Sequence, residues 1–79
     1  MGHRLILADI DSALEFVSKA LEIRLLVLKS DDVNIAFSHY DMYVLYEHVE
    51  KFDAAIEHLQ KAMDIFEKHI NNEQNYQFN

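Results

Sequence analysis

The 79 residues contain no cysteine and no proline, and the only glycine is Gly2. Without cysteine there is no disulfide framework and no thiol chemistry. Without proline, and with glycine confined to one end, tight hairpins are poorly served and long helices well served. Basic residues are scarce as well: seven Lys and Arg stand against 14 Asp and Glu, a net charge of −7 with His neutral. Such a surface repels a phosphate backbone, which argues against nucleic acid as a partner. A basic or mixed peptide is compatible with it. Long apolar runs are missing too. Leu5-Ile6-Leu7 falls far short of the ~18 residues of a membrane span, and the start lacks the pattern of a secretory signal. A cytoplasmic protein with no membrane partner is the expectation.

What is present is an apolar fraction of 51%, ample for one small core. A chain this short buries only about 60% of its unfolded surface. The strongest internal signal is a repeat. The stretch from Phe52 to Phe66 has a weaker copy from Ile10 to Arg24. Ala13 matches Ala55, Glu15 matches Glu57, Lys19 matches Lys61, Ala20 matches Ala62 and Ile23 matches Ile65, each pair 42 positions apart. A fixed period in this range marks helical units that stack because none buries its apolar face alone.

Three amphipathic helices follow from the periodicity, over about residues 10–29, 33–48 and 52–70, within a helical domain spanning 1–72. Asp9 or Asp11 suits an N-cap for the first helix, and Asp31 or Asp32 for the second. Residues 1–9 read as the stump of a preceding helix or as a leader running into the first. Lys29 to Asp32 and Val49 to Lys51 are the turns. Phe52, Ala55, Ile56, Leu59, Ala62, Met63 and Phe66 form the core stripe of the third helix. Asn71-Asn72 is the expected stop, leaving 73–79 as a frayed polar tail. Phe16, Ile23, Leu26 and Val27 add apolar surface outside the main stripe of the first helix, which suggests burial on two sides.

These residues resemble a tetratricopeptide repeat. Ala55, Leu59 and Ala62 match its signature small and large positions, Met42 and Tyr46 those of its first helix, and Phe52 the aromatic opening its second. The 42-residue spacing exceeds the ordinary 34 and is similar to the kinesin-light-chain type. The run Ala20-Leu21-Glu22-Ile23-Arg24, then Val27-Leu28, a short acidic turn and Ala36, carries that likeness. The resemblance implies an all-α fold of antiparallel helical hairpins, about one and a half repeats, with self-association as one way to complete the core. It also implies a peptide groove at Phe37, Tyr40, Val44, Glu47 and His48. Three departures stand out. Tyr43 occupies the family's small position at a close helix approach, Glu50 the turn glycine, and Leu25-Leu26 a charged pair. The Lys and Asn that clamp a C-terminal carboxylate in chaperone-binding members are replaced by Tyr40 and Val44, so an apolar or basic-aromatic peptide is preferred.

Chemistry is sparse by comparison. His39, His48, His58 and His69 are spaced 9, 10 and 11 apart, which never gives the i, i+4 pair of a helical zinc site. His69 with Glu73 is the only His–carboxylate pair at that spacing. No phosphate loop and no nucleophile elbow occurs. No metal site, no cofactor and no enzymatic activity is expected. The expected function is a protein-interaction module binding a peptide or partner helix through the groove. The alternative is a small self-associating, homodimeric and helix-exchanged protein whose interface is Leu5, Ile6, Leu7, Leu25, Leu26 and Leu28. A three-helix domain that binds helical tails of membrane-remodelling proteins is disfavoured, because it predicts no internal copy.

Overall fold

In the computed structural model the backbone of residues 2–78 and the side chains of residues 9–71 are described. Three helices follow one another: α1 (Gly2–Val27), α2 (Val33–His48) and α3 (Phe52–Phe78). The fold is all-α, as expected. α1 packs on α2 and α2 on α3, while the backbones of α1 and α3 do not come close to each other among the described residues. The result is an elongated row, 57 × 24 × 19 Å, with α2 in the middle.

Local chemistry sets both ends of α2. Asp32 is its N-cap, with extended backbone, and its Oδ1 accepts from the Asn34 N–H at 2.8 Å. That bond satisfies one of the orphan donors of the first turn. At the other end the Lys51 N–H donates to the Tyr46 carbonyl at 2.9 Å, and the Glu50 N–H to that of Glu47 at 3.0 Å. Glu50 has φ 62°. This is a Schellman cap, which requires a left-handed residue and normally takes glycine there. The sequence places Glu50 where a turn glycine is usual, and the backbone adopts the glycine conformation regardless.

The core joins Leu21 of α1, Ile35 and Ala36 of α2, and Ala62 and Ile65 of α3, with Leu28 and Phe66 packed against it. Ala36 and Ala62 are both 0% exposed. Methyl side chains at these positions leave room for neighbouring backbones to approach, and interiors packed at crystal density make that spacing specific. Polar ties add direction. Arg24 Nη1 donates to Ser38 Oγ at 2.6 Å and to the Asn34 carbonyl at 3.1 Å, fastening α1 to the start of α2. His69 Nε2–H donates to the Asp31 carbonyl at 2.9 Å, fastening α3 to the first turn.

Four expectations need correction. Of the two readings of residues 1–9, the separate stump fails and the leader running into the first helix holds, since α1 is continuous from Gly2. Neither Asp9 nor Asp11 caps it, because a carboxylate that can cap does so only where the chain has another reason to turn. α1 also stops at Val27 rather than 29. α3, finally, does not stop at Asn71-Asn72 but runs on to Phe78. Asparagine tolerates the left-handed cap without enforcing it, and no glycine or proline follows to break the helix. Side chains of the 73–79 segment lie outside those described. Tyr43 stands at the position expected for a close helix approach. It is half-buried, and its ring lies 5.5 Å from that of Tyr40 on the same helix. The Glu47 carboxylate, aided by some burial, raises the Tyr43 pKa above its usual 10.0.

Candidate binding surfaces

The five groove residues fall on one face of α2, turned away from Ile35, Ser38 and Met42. Phe37, Tyr40, Glu47 and His48 are exposed and Val44 is half-buried. Phe37 is not wholly free, for its ring meets that of Phe66 edge-on at 5.5 Å. Tyr40, 46% exposed, closes one side of an apolar groove of about 250 Å³ whose other walls are Leu59, Met63, Phe66, Glu67 and Ile70 of α3. The groove face and this hollow therefore share Tyr40. Of the stripe expected in the core of α3, Ala55 and Ala62 are buried and Leu59 and Phe66 half-buried, but Phe52, Ile56 and Met63 are exposed, because α2 covers only the side of α3 that carries the alanines.

The residues suggested for self-association separate. Leu26 is 84% exposed and Leu25 is exposed beside it, so the extra apolar face of α1 is not buried within the chain. Leu28 instead packs against the core. The side chains of Leu5, Ile6 and Leu7 lie outside those described.

One site went unread in the sequence. His39 and His58 meet across the α2–α3 interface, Nδ1 to Nδ1 at 2.9 Å, one ring donating and the other accepting. The Tyr46 ring stacks on His58 at 5.6 Å. Burial, above all, holds the His39 pKa below 6.5, and the charges of His58 and Lys61 add to it. His58 is lowered by burial and Lys61 against the opposing pull of Glu57. Searching for i, i+4 spacing within a helix misses such a pair. Among the described residues no group of three or more His, Cys, Asp or Glu converges in metal-binding fashion, and no helix is long and apolar enough to cross a membrane.

The open-faced hairpin geometry has a counterpart in known proteins: a family model described as tetratricopeptide repeat matches residues 3–68. The chain belongs to the tetratricopeptide repeat family. Membership makes it a helical module for protein–protein interaction. The match is to the repeat as such, and the 42-residue spacing rests on the internal copy alone. No curated protein and no solved structure matches the chain.

Proposed function

We propose that this tetratricopeptide repeat chain is a non-enzymatic module that captures a peptide or helical segment of a partner protein along the open face of α2. The observation that carries the reading is the alignment of Phe37, Tyr40, Val44, Glu47 and His48 on one face, with two aromatic rings left open to solvent. Aromatic anchors supply most of the energy in such recognition, and the rim carboxylate of Glu47 favours a segment with a basic or aromatic character. A Tyr40→Ala, His48→Ala double change tests it. Both side chains are exposed, so helicity should stay constant while partner capture is lost. Undiminished capture by the double variant would sink the reading.

A second reading is favoured by one observation, the exposed Leu25, Leu26 and Val27 at the end of α1. In it two copies associate through this face. Sedimentation at high micromolar concentration decides: a Leu26-dependent dimer supports the reading, and a clean monomer removes it.

A further inference from the structure

The ties between the helices differ in how they meet a proton. Arg24 holds α1 to α2 as a permanent cation. His69 holds α3 to the first turn as a donor, through Nε2–H to the Asp31 carbonyl. Neither loses its donor in acid. The His39–His58 bond is of another kind, because one of its two Nδ1 atoms must keep a lone pair. The ring centroids lie 5.1 Å apart, close to the 2.9 Å contact plus one ring radius on each side. The two nitrogens therefore meet head-on. The internal repeat does not require a titratable ring here, for the position 42 residues before His58 is Phe16.

Counting protons shows when the bond fails. A first added proton goes to Nε2 of the donor ring, which then donates a charge-assisted bond to its neutral partner. The contact persists. A second proton has only the accepting Nδ1 to occupy, and two cationic rings then face each other, N–H to N–H. The contact fails. His39 is 7% exposed and His58 half-buried, so His58 is the ring with a path to solvent. Leaving takes it off its stack with Tyr46. The surroundings set the direction. Burial comes first in lowering both rings; the charges of His58 and then Lys61 add to it at His39, and Lys61 adds to it against Glu57 at His58. Tyr46 of α2 is the other titratable neighbour. Among the described residues no charged group of α1 counts among these influences. A ring released to water binds protons more readily than the paired one, so falling pH drives release.

We propose that His39 and His58 form a two-proton latch, which holds the middle of the α2–α3 hairpin shut near neutral pH and releases it in mild acid. The latch lies beside one end of the apolar groove. Tyr40 follows His39 and Leu59 follows His58, and the two line that groove from opposite helices, with Ala62 one turn beyond His58. Release therefore loosens the groove, while Arg24 still ties α1 to α2. The device acts whatever segment the groove or the α2 face receives.

The experiment is a pH titration of the full chain by NMR, from about pH 7.5 down to about 4.5 and well below the melting temperature. Labelled histidine nitrogens report which ring atoms carry hydrogen. The methyl signals of Ala55 and Ala62 report the α2–α3 face, and those of Val17 and Leu21 the α1–α2 face. At neutral pH hydrogen should reside on Nδ1 of one ring and Nε2 of the other. On acidification the two rings should titrate as a coupled pair, in two steps. Exchange at Ala55 and Ala62 should grow with the second step, the open fraction rising by about tenfold or more, while Val17 and Leu21 hold still. His58→Gln and His39→Gln decide the matter. An amide can accept from the remaining imidazole or donate to it, so each variant should stay shut across the range. His69→Gln should release as the parent does. Helicity verifies that each variant folds, and if His39→Gln fails to fold, His58→Gln decides alone. Release at the same pH in the folded Gln variants, equal movement of the α1–α2 signals, or two rings that titrate independently from the same tautomer overturns the proposal.

Discussion

His39 of α2 and His58 of α3 share one proton between Nδ1 atoms 2.9 Å apart. The bond works only while at least one ring is neutral. When both nitrogens carry hydrogen, two donors face each other at the interface and the acceptor is gone.

Stability should therefore fall in mild acid. Both rings have folded-state pKa values below 6.5, mainly through burial, so protons bind the unfolded chain more readily. Their contribution is fully present above pH 6.5 and declines as pH falls from there through the lowered folded values. The groups facing the pair are Lys61 and Glu57 of α3 and Tyr46 of α2. Thermal melts at pH 7.5 and 5.5 should show a lower Tm in acid, and His58→Gln should flatten much of that difference. An unchanged slope in the variant would count against the pair as its source.

Glu50→Gly should stabilise the protein. A side chain in the left-handed region costs roughly 1–2 kcal/mol, and glycine returns part of that gain as entropy of the unfolded chain. A net gain of about 0.5–1 kcal/mol is expected. For a domain of this size it corresponds to a rise in Tm of about 3–6 °C. A fall in Tm would show that the Glu50 side chain contributes more than its strained backbone costs.

Enlarging Ala62 should do the opposite. It is fully buried in the cluster with Ile35 and Ala36, and Ala62→Leu forces neighbouring side chains or backbones apart at a cost of about 1–3 kcal/mol. Urea unfolding should show a lower midpoint with little change in slope.

Arg24→Ala should loosen α1 from α2. Two charge-assisted hydrogen bonds disappear, one of them exposed, and the expected loss is about 1 kcal/mol. A double-mutant cycle with Ser38→Ala isolates the shared part. A coupling indistinguishable from zero would mean that solvent replaces the contact at no cost.

The sequence exposes some of this structure and conceals the rest for physical reasons. The bounds of α2 are legible because Asp32 has a donor to cap and Glu50 must reverse the chain. The far ends of α1 and α3 are not, because Asp9, Asn71 and Asn72 only permit a turn. Ala55 and Ala62 announce close packing by size and spacing. Met63 and Ile56 carry the same periodic signature as core residues, and only the position of α2 reveals that they face outward. The His39–His58 pair depends on the register between two helices, which no spacing along one helix encodes. Family likeness singles out Phe37, Tyr40, Val44, Glu47 and His48, which the helix then sets on one face of α2.

The row of three helices joined only through α2 also has a dynamic consequence. Opening can begin at either junction, while the shared core around Leu21, Ile35 and Ala62 couples the two. Amide exchange should be slowest at the centre of α2, which both junctions guard. A guest resting on α2 touches the one beam that both flanking helices lean on, and its grip is felt at each end of the row.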